Sequence, residues 1–224
     1  YKDGIDEDAY DQLGLLDKED CRVLKYLNLY KPLHLGIDFG NMCSLSVAQE
    51  DRVQGRECLR VLKFLYTLAP EYLVELGEKF RNYFAPMQNK TVHLFYDRAG
   101  NSYKMVQKDQ ATEFKRAIER DKDGKRTGWT VILESIGQGN IGQPEEYDFM
   151  LKLLSGSNPR LPIILIDYYA AKHLRQSLEG ARTKIKSGVV FKDSFKYLLM
   201  TKQRRKIAKG KVPIAGAFAD PSIV

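Results

Sequence analysis

The sequence predicts an α/β fold in which a mixed central sheet is flanked by helices, and three observations carry that expectation. Alternating apolar residues recur in three closely spaced segments, 33–37, 43–47 and 58–66, as successive strands would show. Behind them, stretches with apolar residues at helical spacing (70–84, 110–121, 144–154, 170–181) alternate with short apolar runs (92–96, 129–133, 161–166). The 224 residues, 43% of them hydrophobic, are enough to build one substantial core.

Taken in order, residues 1–31 read as a lead-in or linker, mostly helical or irregular, with apolar contacts from Leu13, Leu15, Leu16, Val23, Leu24, Tyr26 and Leu27. Pro32 closes it. Leu33, Leu35 and Ile37 then alternate as a buried strand, and Asp38 stands where that strand ends. Gly40 and Asn41 supply turn chemistry, because Gly carries no Cβ and Asn tolerates left-handed backbone. Cys43, Leu45 and Val47 resume the alternation, with Ser44, Ser46 and Ala48 between them, so strand, tight turn and antiparallel strand are expected. A polar turn over 51–57 leads to the third strand.

The segment 70–84 predicts an amphipathic helix through Leu73, Leu76, Phe80, Tyr83 and Phe84, with Pro70 near its first turn and Pro86 past its end. The apolar run Val92–His93–Leu94–Phe95–Tyr96 reads as a fourth strand, and it too ends in an aspartate, Asp97. Helices through Phe114 and Ile118, through Tyr147, Met150 and Leu154, and through Leu174 and Leu178 alternate with strands at 129–133 and 161–166. The loop IGQGNIGQ lacks the Lys and Ser/Thr of a phosphate-binding loop. A last helix begins after Asp193, with Phe195, Leu198 and Leu199 on its apolar face. The expected order is β-β-β-α-β-α-β-α-β-α-α, and residues 32–201 form the domain ahead of a basic tail, 202–224.

Composition narrows the function classes. No run approaches the roughly 20 apolar residues of a membrane span, so no membrane partner is expected. The opening YKDGIDEDAYDQ lacks a basic head and an apolar core, which argues against a signal peptide, and it begins without Met, as an excised piece would. Three cysteines without paired spacing speak against a disulfide framework or a zinc knuckle and for a reducing, intracellular setting. The net charge of +7 and pI near 9.1 favour a polyanionic partner. Acidic residues crowd 3–20, whereas Lys202, Arg204, Arg205, Lys206, Lys209 and Lys211 form a basic run suited to a phosphate backbone or to solvent.

A carboxylate at the tip of a first strand has three uses. It can hold a divalent metal for phosphoryl transfer, sit beside nucleotide phosphates as in actin-like ATPases, or bond to its own turn. Asp193 has a plain alternative of its own as a helix N-cap. His173 falls on the exposed or half-buried face of its helix and lacks a neighbouring Cys or His to share a metal.

The segments GIDFGN around Asp38, FYDRAGN around Asp97, LRQSLEGAR, and KDSFKYLLM around Asp193 resemble the C-terminal nuclease domain of phage large terminase subunits, over residues 33–201. That resemblance implies a ribonuclease-H-like mixed central sheet flanked by helices, with strands one and four side by side. It implies an endonuclease cutting concatemeric double-stranded DNA during genome packaging in the host cytoplasm, with two Mg²⁺ or Mn²⁺ ions held by Asp38, Asp97 and Asp193. Arg98, Lys104, Lys192, Lys202, Arg204 and Arg205 are the candidates for backbone phosphates, and Glu134 and Asp167, acids at further strand ends, are candidate accessory ligands or structural groups. The implied partners are an upstream ATPase domain of the same polypeptide, whose Walker A sequence this chain lacks, the portal and the small terminase subunit. The rival readings are an actin-like nucleotide-binding domain and a non-catalytic nucleic-acid or portal-docking module on the same fold, and a resolvase or transposase is a further same-fold option, separated by substrate shape.

Overall fold

The computed structural model describes residues 1–5, 20–39, 42–68, 72–96, 110–136, 143–156 and 158–179, with the backbone alone at 143–147. Six strands form one sheet: β1 (Leu33–Asp38), β2 (Met42–Val53), β3 (Arg56–Leu68), β4 (Thr91–Tyr96), β5 (Thr130–Leu133) and β6 (Ile163–Ile166). Four helices accompany it: α1 (Leu73–Tyr83), α2 (Gln110–Glu119), α3 (Gln143–Ser155) and α4 (Lys172–Glu179). The strand order is β5-β4-β1-β2-β3-β6. β2 runs antiparallel to both its neighbours, and every other pairing is parallel. This is a mixed α/β sheet flanked by helices, with strands one and four adjacent as the resemblance led one to expect.

Both faces of the sheet are covered, because each parallel crossover carries a helix back over it. Leu33, Leu35 and Ile37 of β1 and Leu45 and Val47 of β2 pack on one face with Leu76 and Phe80 of α1 and Phe114 and Ile118 of α2. Cys21 and Leu24, from a 3-10 turn at Cys21–Val23, join this core from the lead-in. On the other face Ala48, Val61, Phe64 and Phe95 meet Phe149 and Leu153 of α3 and Leu174 of α4. Each fully buried large side chain contributes about 1.5–3 kcal/mol by leaving water. No helix among the described residues is long and apolar enough to cross a membrane.

The polar stretch 51–57 is not a loop. β2 runs to Val53 and β3 starts at Arg56, paired through Asp51↔Cys58, Arg52↔Glu57 and Val53↔Arg56. Only Gln54 and Gly55 turn, both with positive φ (50° and 78°), a two-residue geometry whose twist matches that of the strands it joins. Its polar side chains fit the exposed end of a long hairpin. Several ends also move inward. The strand expected from Trp129 begins at Thr130, and Trp129 instead packs its ring 5.0 Å from that of Phe80. The strand expected from 161 begins at Ile163, after Pro162, which has no N–H to donate. The helix expected from 70 begins at Leu73, where Glu75 accepts a 3.0 Å bond from the Tyr72 amide.

Candidate functional site

Asp38 is the last residue of β1 and is half-buried. Side chains alternate along a strand, so Asp38 shares a face with Gly36 and His34, opposite the core-facing Leu33, Leu35 and Ile37. Ser44 on β2 stands directly across from Asp38, and Tyr66 on β3 directly across from Ser44. Directly opposed residues project from the same side of a sheet. Asp38, Ser44 and Tyr66 therefore form one row across three strands, at the end of the sheet where β1 stops, on the face covered by α3 and α4. At the end of that row, His173 of α4 sets its ring 5.2 Å from that of Tyr66, nearly perpendicular at 80°.

On the other side of β1 lies β4, parallel and in register, with Leu35↔Leu94 and Ile37↔Tyr96. β4 ends at Tyr96, one residue short of Asp97 in the chain. Asp97 itself lies outside the described residues. So do Asp193, Arg98, Lys104, Lys192, Lys202, Arg204 and Arg205, and with them all of the expected ion-holding and phosphate-holding set except Asp38. Among the described residues, no group of three or more His, Cys, Asp or Glu is placed to hold a metal ion. Ligation at this end of the sheet thus depends on what joins Asp38 there. A carboxylate bordered by a hydroxyl is a hard oxygen donor set of the kind that suits Mg²⁺ or Mn²⁺.

The two accessory acids are engaged elsewhere. His34 and His93, partners across β1 and β4, stack their rings 5.0 Å apart. His93 Nδ1 lies 2.8 Å from Glu134 Oε1. That places Glu134 beside the third residue of β4, three positions before the strand's last residue, Tyr96, about 10 Å at strand rise. Asp167 follows β6, three strand positions from β1, about 14 Å across the sheet. Its Oδ1 accepts from the Tyr169 and Ala170 amides at 2.9 and 2.7 Å, fixing the turn into α4. Asp167 is only 1% exposed, its Oδ2 makes no hydrogen bond, and burial pushes its carboxyl above the usual range. These bonds are the ones a turn-fixing carboxyl makes.

Sequence reasoning did not single out Ser44, Tyr66 or the His34–His93 stack, and it named Glu134 only as a strand-end acid. Ser44 and Ser46 were visible as the polar half of an alternating strand, which ordinarily faces solvent, yet both are fully buried. What sets them beside Asp38 is strand register, which depends on pairing between distant segments.

No protein-family model matches the sequence, and no curated protein matches it. Among solved structures, the crystal structure of Fowlpox virus resolvase with substrate Holliday junction DNA aligns with 77% of this chain and 98% of its own, at a TM-score of 0.36 and 10% sequence identity. At that score and identity, no residue role passes from that protein to this chain.

Proposed function

We propose that this chain is a divalent-metal-dependent endodeoxyribonuclease of the terminase type, cutting concatemeric double-stranded DNA during viral genome packaging. One observation carries the reading: β1 and β4 are parallel neighbours whose Ile37 and Tyr96 are in register, so the chain leaves both strands at one end of the sheet, with an aspartate next on each. Asp193, ahead of the last helix that the sequence predicts, is the third carboxylate of this reading. Asp38, Asp97 and Asp193 would hold two Mg²⁺ or Mn²⁺ ions, which supply Lewis-acid charge at the scissile phosphate when bound. The protein's part is to bring oxygen donors from distant stretches of sequence to one place and to hold the DNA there.

Ser44, opposite Asp38, keeps a polar neighbour beside that carboxylate where an apolar residue would disfavour its charged form. Arg98, Lys104, Lys192, Lys202, Arg204 and Arg205 would bind backbone phosphates, which gives affinity that falls with salt and reads no sequence. The proposed partners are double-stranded DNA, an upstream ATPase domain, the portal and the small terminase subunit, in the host cytoplasm.

The test is incubation with supercoiled plasmid and Mn²⁺ or Mg²⁺, with and without EDTA, beside Asp38→Asn, Asp97→Asn and Asp193→Asn. Nicked and linear products that vanish with EDTA and with each substitution are expected. Intact plasmid with the native protein and both metals, or cleavage unaffected by the substitutions, overturns the assignment.

A further inference from the structure

The row that begins at Asp38 does not stop at the carboxylate. It continues through buried Ser44 to half-buried Tyr66, two strand spacings or about 10 Å away, and then to the exposed ring of His173. Tyr66 is itself braced from below by Phe64, with ring centroids 6.4 Å apart. His173 is held at its base by Leu174, fully buried in the second core. Lys172, also exposed, adjoins it at the start of α4. An aromatic ring anchored in a core and an imidazole set edge-to-face on it line the same sheet face as the proposed ion-binding carboxylate, and an exposed lysine precedes the imidazole in the chain.

From this we infer that Tyr66 and His173, with Lys172, form a subsite for the sugar–phosphate backbone of the DNA strand being cut, about 10 Å from the scissile position. The inference rests on the nuclease reading and adds to it a substrate-positioning group that no metal-binding residue supplies. An imidazole N–H donates to a phosphate oxygen, and the phenol ring beneath fixes where that donor stands, so less side-chain freedom is lost on binding. Lys172 adds charge that any phosphate meets equally. Neither group contacts a base edge, so the subsite is indifferent to sequence.

The experiment measures binding of a fluorescently labelled 20-base-pair duplex by anisotropy in Ca²⁺, and separately the kcat and KM of plasmid cleavage in Mn²⁺. His173→Ala is expected to weaken duplex binding roughly three- to ten-fold, the size of one lost hydrogen bond. It should raise KM by a similar factor while kcat and the Mn²⁺ concentration for half-maximal activity stay unchanged. Tyr66→Leu should reproduce that loss and Tyr66→Phe should restore native binding, because the supporting ring is what matters. The double variant His173→Ala/Tyr66→Leu should lose little beyond either single one.

Native affinity in both His173→Ala and Tyr66→Leu overturns the subsite. So does a fall in kcat or Mn²⁺ response with unchanged KM. His173 is exposed, so its replacement leaves the fold intact, and matching thermal midpoints verify this. If Asp38→Asn abolishes cleavage while native binding is independent of His173, the subsite alone is wrong. If the native protein neither binds the duplex nor cuts plasmid, the nuclease reading fails and the subsite with it.

Discussion

His93 Nδ1 and Glu134 Oε1 meet at 2.8 Å across the β4–β5 pair, with side chains only 26% and 12% exposed. Such a contact between partly buried groups is a structural tie between the fourth strand and the segment that leaves the fifth. Glu134→Ala removes the acceptor and is expected to cost about 1–2 kcal/mol of stability, read as a lower midpoint in urea at constant slope. Cleavage by the folded variant should stay within two-fold of native. A large loss of Mn²⁺-dependent activity at full folding would return Glu134 to the ion-binding set.

The outer edge of β5 is closed by one ion pair from α2. Glu119 Oε1 accepts from the Val131 amide at 2.8 Å and from Lys115 Nζ at 2.7 Å, while Lys115 Nζ also donates to the Val131 carbonyl. An unpaired strand edge invites pairing with other chains. Glu119→Ala should speed hydrogen exchange at the Val131 amide at least ten-fold and increase aggregation on heating, with amides in β1 and β2 slowed as before. Unchanged protection at Val131 would mean that the pair does not guard the edge.

Gly77 in α1 touches α2. A Cβ placed there would stand 2.8 Å from the Cβ of Ala117 and 3.1 Å from its carbonyl carbon and oxygen, backbone atoms that cannot swing aside. Gly77→Ala gains about 1 kcal/mol in helix propensity, but forcing the two helices apart costs about 1–3 kcal/mol. The net expectation is destabilisation, with the thermal midpoint lowered by about 2–4 °C per kcal/mol. A raised midpoint would show that the two helices separate at little cost.

Asp167 gives a pH signature. Burial raises its carboxyl above the ordinary carboxylate value, so the folded protein holds this proton more tightly than the unfolded chain does. By linkage, stability falls as pH rises through the interval from the ordinary value up to the raised one, and the cost persists above it. Asp167→Asn keeps an oxygen for the Tyr169 and Ala170 amides and removes the charge. It should be more stable than native at pH 7 and equal to it below the ordinary carboxylate range. Urea unfolding at a series of pH values checks this, and parallel curves for the two proteins would refute it.

The strands were legible because their apolar alternation is local: Leu33, Leu35 and Ile37 needed no partner to be read as one buried face. The 51–57 segment was misread because Asp51, Arg52 and Glu57 look like loop residues until a partner strand gives them a ladder. The positions of two acids at strand ends were equally plain in the sequence, and for Asp38 the structure puts the residue at the last position of β1. That Ser44 and Tyr66 share its row was not legible. A row is created by hydrogen bonding between segments more than twenty residues apart, as in Ser44↔Tyr66, and shifting that register by one residue would turn each side chain to the opposite face. Glu134 and Asp167 both read as strand-end acids, with a structural role favoured for Asp167, and the partners of each, His93 and the Tyr169 and Ala170 amides, are what the structure adds.

Five of the six strands point the same way, with β2 alone reversed. The chain therefore leaves β1, β3, β4, β5 and β6 along a single rim of the molecule, while both apolar layers sit behind it. The described segments that leave this rim reach back into those layers: Phe39 after β1 and Ala170 after β6 pack on one of them, and Ala171 lies buried in the other. Exchange of those segments should therefore keep the frame stable only where Phe39, Ala170 and Ala171 are retained.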